Sequence, residues 1–111
     1  MTDLAPVRLT VANPSGLHAR PAATFVRMAG RFAAAVRVRN VTRGGDPADA
    51  KSILGVLAIG VSSGHEIELT ADGPDAAVAL AVLGELVRSG IGEPLAAQPL
   101  DPSAGAGEAP A

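Results

Sequence analysis

The apolar residues change their spacing along this chain, and the order of those changes restricts its fold more than any other feature. Val7, Leu9 and Val11 alternate with Arg8, Thr10 and Ala12, the period-two pattern of a half-buried strand. Asn13-Pro14-Ser15-Gly16 is turn chemistry. From about Ala19 to Arg31 the period lengthens. Ala22, Phe25, Val26 and Ala29 recur at helical spacing, Pro21 sits in the first turn, where a missing N–H costs nothing, and Gly30 supplies a stop. Alternation returns at Val36-Arg37-Val38-Arg39. Thr42 to Ala50, with Gly44, Gly45 and Pro47, reads as a loop that can hold a short edge strand. Ser52 to Ile59 predicts a short helix with Ser52 as N-cap and Gly60 at its end. Glu66-Ile67-Glu68-Leu69-Thr70 alternates again. Pro74 opens a last helix whose apolar residues include Val78, Val82, Leu83, Leu86 and Val87.

Strands with one polar face imply an antiparallel sheet with helices stacked on its other side, an α+β two-layer sandwich. The length of 111 residues suits one domain. With only two aromatics, Phe25 and Phe32, its core should be small and aliphatic. From Glu93 onward Ala, Pro and Gly take over, so we expect the domain to occupy residues 1–92 and a disordered tail or linker to occupy 93–111.

Composition also excludes classes of function. The chain has no cysteine, so disulfides and thiolate metal sites are out, and a reducing, cytoplasmic setting fits. No apolar run approaches the roughly 20 residues of a membrane span. Met1 to Pro6 lacks the basic-then-apolar layout of a secretory signal. A net charge of −2 and the lack of aromatic stacking platforms set nucleic-acid binding aside.

Chemistry concentrates in Gly16-Leu17-His18-Ala19-Arg20-Pro21-Ala22. This segment puts a histidine at a helix start with an arginine two residues on. A helix N-terminus carries unpaired N–H groups and partial positive charge, favouring an anion there by about 0.3–1 kcal/mol. Arg20 adds a permanent cation whose planar fork suits phosphate oxygens. A neutral imidazole nitrogen is a competent nucleophile near pH 7. These are the parts needed to form and hold a phosphohistidine. A lone histidine at a helix start is more often a cap or a surface residue. No second histidine or carboxylate lies nearby in sequence, so a metal site or a hydrolase triad lacks its parts.

GLHARPAATF (Gly16–Phe25) resembles the phosphorylation segment of HPr, the histidine phosphocarrier of the bacterial phosphoenolpyruvate-dependent sugar phosphotransferase system. AKSILGVLAIG (Ala50–Gly60) is similar to that family's second signature, around its regulatory serine, and the distance between the two also fits. The resemblance runs from about Val7 to Val87. It implies an open-faced βαββαβα sandwich, a four-stranded antiparallel sheet with three helices on one face. It also implies that His18 accepts phosphate on Nδ1, that Arg20 and the backbone of Ala19 and Arg20 hold it, and that no cofactor or metal takes part. The carrier would be a cytoplasmic monomer, not itself an enzyme. Enzyme I would be its donor and a sugar-permease component its acceptor. The resemblance makes Ser52 the target of a serine kinase, with a plain N-cap as the alternative. It makes Ile53, Leu54 and Leu57 the docking residues, unless one or two of them complete the core. With the last strand between the first two, Glu66 and Glu68 would each have an arginine on either side, drawn from Arg8, Arg37 and Arg39.

Two departures point to a second context. The polar Thr42–Asp49 segment and the residues beyond Gly92 resemble HPr-like domains carried inside larger proteins. Such proteins include the phosphotransfer subunit serving dihydroxyacetone kinase and enzyme I fusions. A small-molecule-binding α+β module is the third reading, but it has no use for His-X-Arg-Pro at a helix start. His65 has no matching role and is expected at the surface, at the mouth of a strand.

Overall fold

The computed structural model describes residues 5–93. Its elements are β1 (Val7–Thr10), α1 (Ala19–Ala29), β2 (Ala35–Asn40), β3 (Ala48–Asp49), α2 (Ile53–Ala58), β4 (Glu66–Asp72) and α3 (Ala76–Arg88). The four strands form one sheet in the order β1-β4-β2-β3, and every neighbouring pair is antiparallel. The expected open-faced βαββαβα sandwich is present, and the segment between β2 and α2 contributes the two-residue edge strand β3.

Alternation sorts the strand side chains by face. Leu9, Val36, Val38, Ile67 and Leu69 point to the helices and are buried. They meet Ala22, Phe25 and Ala29 of α1, Val56 of α2, and Leu80, Leu83 and Val87 of α3. Phe25 is the largest fully buried side chain, and the rest of the core is aliphatic, as the composition required. Burying each of the larger residues favours folding by about 1.5–3 kcal/mol.

On the open face Glu68 lies opposite Arg8 in β1 and Arg39 in β2. It pairs with both, at 3.2 Å to Arg8 Nε and 3.5 Å to Arg39 Nε. Glu66 departs from the expected pattern. Its partner in β1 is Thr10, while Arg37 lies opposite Thr70 and Asp49, so only one of the two glutamates sits between arginines. Such partly exposed pairs contribute about 0.2–1 kcal/mol.

The helix ends follow local chemistry. Ser52 Oγ accepts from the Gly55 N–H at 3.0 Å, the N-cap read from the sequence. Gly60, at φ +61°, ends α2 in the left-handed conformation that glycine tolerates best. The last helix starts at Ala76, two residues beyond Pro74. Asp75 stands at its N-cap position, but its carboxylate accepts from the Ala33 and Ala34 N–H groups instead (2.9 and 2.8 Å). The buried stripe of α3 is Ala76, Ala79, Leu80, Leu83, Gly84 and Val87, leaving Val78 56% exposed. Glu93, expected at the head of the tail, is bonded to the domain, and residues 94–111 lie outside the described residues. No helix among the described residues is long and apolar enough to cross a membrane.

Candidate functional site

His18 is the N-cap residue of α1, with extended backbone (φ −133°, ψ 166°). Its half-buried side chain makes no capping hydrogen bond, so the imidazole is not spent on the helix end. The first helical N–H to find a backbone acceptor is that of Ala22, which donates to the His18 carbonyl at 3.3 Å. Pro21 has no N–H. The open end of α1 therefore presents the N–H groups of Ala19 and Arg20 alone. Arg20 is exposed beside them.

Backbone geometry at this point is unusual. Ala19 lies at φ +51°, a left-handed conformation that costs a non-glycine residue of order 1–3 kcal/mol. The turn before it is fastened on two sides. On one side, Leu17 N–H donates to the Val61 carbonyl at 2.9 Å. Gly16, at φ +62°, packs so closely there that an added Cβ would lie 2.3 Å from the Val61 oxygen. On the other side, Glu93 accepts from the Ser15 N–H (3.0 Å), the Ser15 hydroxyl (2.8 Å) and Asn13 Nδ2 (3.0 Å). Asn13 is fully buried and also donates to the Gly16 carbonyl at 3.0 Å. Hydrogen bonds from the Asn13 side chain and from Ser15, helped at longer range by Arg20, hold the Glu93 carboxyl below its ordinary pKa. Glu93, Gly92 and Ile91 line a shallow depression with Ala19, Arg20 and Thr24.

The second signature adjoins this turn. Val61, which receives the Leu17 N–H, comes just after Gly60 at the end of α2, and α2 packs against α1. Val56 is the buried residue of α2. Ile53, Leu54 and Leu57 are 40%, 77% and 37% exposed, so none of the three is consumed by the core. Ser52 caps the far end of the same helix.

His65 stands at the mouth of β4, where the sequence placed it, but it is more engaged than a surface position implies. It is half-buried, and its Nδ1 accepts from the Ser62 N–H at 3.0 Å, with Asn40 Nδ2 at 3.2 Å. Asn40 in turn donates to the Ile59 carbonyl at 3.0 Å, tying the end of α2 to the loop behind Leu17. His65 is a fastener of that loop rather than a free surface group. Sequence reasoning also missed the left-handed Ala19 and the Asn13–Ser15–Glu93 cluster. Asn13 and Ser15 were visible only as turn formers, and no local signal ties Glu93 to them. Among the described residues no three His, Cys, Asp or Glu side chains come together as a metal site would require.

Comparison with known proteins agrees with this geometry. The family described as the PTS HPr component phosphorylation site matches residues 7–89. The chain is 43% identical over 83 residues to a multiphosphoryl transfer protein of Vibrio cholerae, covering 75% of this chain and 21% of that protein. Against the first curated relatives, all multiphosphoryl transfer proteins, it spans only 18–24% of their length. It is 41% identical over 80 residues to the phosphocarrier protein HPr of Treponema pallidum, covering 71% of this chain and 86% of that one. The crystal structure of HPr-C-His from Thermoanaerobacter tengcongensis superposes with a TM-score of 0.77 at 38% identity, over 83% of this chain and all of that one. A histidine left free at the mouth of α1, beside an exposed arginine and an adjoining apolar helix, sits within a match spanning nearly the whole described domain, and the chain belongs to the HPr family.

Proposed function

We propose that this domain is a phosphocarrier of the phosphotransferase system, loaded on His18 by phospho-enzyme I. The observation that carries the reading is the free imidazole of His18 at the N-cap of α1. In the transfer the Nδ1 lone pair attacks phosphorus and the bond from phosphorus to the donor breaks. The phosphoryl group then lies where the Ala19 and Arg20 N–H groups, the helix dipole and the Arg20 guanidinium all favour negative charge. Passing the group on reverses these bonds, with an acceptor nucleophile taking the place of His18. The carrier thus binds its cargo covalently without a cofactor. Enzyme I is the donor and a sugar-permease component the acceptor, both met in the cytoplasm.

Ile53, Leu54 and Leu57 serve as the docking patch. Apolar groups left exposed beside a reactive residue favour association by leaving water when a partner covers them. Ser52 is the regulatory position. A phosphate there would sit at the start of α2, beside that patch, and would have to be desolvated on docking.

Incubation with enzyme I and labelled phosphoenolpyruvate tests the reading. One acid-labile phosphate per chain is expected, lost in His18→Ala with the fold intact. Label retained by a folded His18→Ala protein would refute it.

A further inference from the structure

We propose that Glu93 is a positioning residue for phosphoryl transfer, locking the Asn13–Gly16 turn that aims His18. This rests on His18 being the phosphoryl acceptor. Three observations carry it.

The first is how much the carboxylate does. Both oxygens are engaged, Oε1 by Asn13 Nδ2 and the Ser15 N–H, Oε2 by the Ser15 hydroxyl. These bonds join positions 78 and 80 residues apart, so they fix the turn to the segment that follows α3 rather than stabilising it locally. The second is the price Asn13 accepts for its share. It directs its amide nitrogen to both Glu93 and the Gly16 carbonyl while its Oδ1 is buried with no partner among the described residues. One Asn13 nitrogen thus serves two acceptors while its oxygen stays unpaired, and an unpaired buried oxygen is normally selected against. The third is the strain next door. Ala19 is held at φ +51°, and such a conformation persists only where its surroundings over-determine it. Val61 holds this turn from one side, through Leu17 and the close approach to Gly16, and Glu93 holds it from the other.

Loosening one of the two fasteners should let His18 wander from its productive orientation. Reaction geometry is sensitive to displacements of an ångström, whereas docking through α2 is not touched by Glu93. The consequence is a loss in kcat with KM for the carrier unchanged. The shape of the clamp, rather than its charge, is what the reaction needs. A glutamine keeps an acceptor oxygen for Asn13 and the Ser15 N–H, and its amide nitrogen can donate to the Ser15 hydroxyl.

The test is steady-state phosphorylation by enzyme I with phosphoenolpyruvate, on the full chain and its Glu93→Ala, Glu93→Gln, Ser15→Ala and Ser15→Ala/Glu93→Ala variants, with His18→Ala as control. We expect Glu93→Ala to lose about tenfold in kcat with KM within about twofold of the parent. Glu93→Gln should return to within about twofold, and the double variant should be no slower than Glu93→Ala, because both changes break one clamp. Circular dichroism checks that each variant is folded. Should Glu93→Ala not fold, a kcat loss of about threefold in Ser15→Ala, at unchanged KM, supports the clamp, and a parental kcat in that variant overturns it. An unchanged kcat in folded Glu93→Ala, a loss confined to KM, or a Glu93→Gln as slow as Glu93→Ala would each overturn the proposal while leaving His18 as acceptor. Label persisting in His18→Ala would remove the acceptor itself, and the clamp with it.

Discussion

Replacing Gly16 by alanine probes the contact that seats the turn before His18. The residue sits at φ +62°, and its added Cβ would meet the Val61 oxygen at 2.3 Å, the Ser62 Cα at 2.8 Å and the Ser62 carbonyl carbon at 3.0 Å. All three are backbone atoms, and Val61 is tied down by the Leu17 N–H at 2.9 Å, so nothing can swing aside. Two costs follow. The left-handed backbone costs an L-residue about 1–2 kcal/mol. Forcing the loop outward adds the penalty of overpacking, about 1–3 kcal/mol. Against these, alanine lowers the entropy of the unfolded chain, worth about 0.4–1 kcal/mol. The net expectation is a destabilisation of about 1.5–4 kcal/mol, a large fraction of what a domain of this size possesses. Gly44→Ala is the internal control. It has a similar φ of +78° but nothing within 4 Å of the added Cβ, so it shares the backbone and unfolded-state effects and lacks the clash. The difference between the two variants isolates the contact, at about 1–3 kcal/mol. Urea unfolding followed by far-ultraviolet circular dichroism is the assay, since the chain has neither tryptophan nor tyrosine to report by fluorescence. Equal losses in the two variants would refute the claim that Val61 and Ser62 form a wall behind the turn.

Three further outcomes are expected. Arg20→Ala should fold like the parent but transfer phosphate more slowly in at least one direction, by about 1.5–3 kcal/mol in activation free energy if the charge-assisted contact is made mainly in the transition state; stopped-flow rates equal to the parent in both directions would reduce Arg20 to a surface charge. Ser52→Asp should keep the cap on Gly55 and shift stability by only a few tenths of a kcal/mol while raising KM for enzyme I, so an unchanged KM would leave Ser52 a structural cap alone. Asp75 has its pKa lowered from 3.8, mainly by the Ala33 N–H with a further share from Ala34. A depressed folded pKa gives stability that is present above the unfolded value and lost as pH falls through the folded one. Melting temperatures of the parent and Asp75→Asn should therefore differ most near neutrality and converge in acid, and a gap that widens below pH 3.8 would contradict the assignment.

Much of this architecture was legible because strands and helices bury one face each. The alternation in β1, β2 and β4 placed the core side chains correctly, and Ser52 read as a cap and proved to be one. Helix α3 was harder. It is apolar almost all round, so periodicity could not separate the buried Ala79 and Leu80 from the exposed Val78, and the sheet chose the face. The partners of Glu66 were missed for a related reason. Strand order fixes which strands are neighbours, but register fixes which side chains meet, and here it sets Glu66 against Thr10. His18 and Arg20 stood out as candidates through the GLHARPAATF segment and its resemblance, since a place at a helix start alone is more often that of a cap or a surface residue. Of the groups around them, only Asn13 is a near neighbour in sequence; Val61, His65 and Glu93 are remote and approach the turn only in the folded chain.

The most direct measurement is nuclear magnetic resonance of the domain after loading by enzyme I, with phosphorus and nitrogen observed together. A single phosphorus signal coupled to Nδ1 of His18, with the Ala19 and Arg20 amide protons shifted as they meet the new anion, is the predicted result. A phosphate on His65, on a hydroxyl group, or on Nε2 of His18 would contradict it.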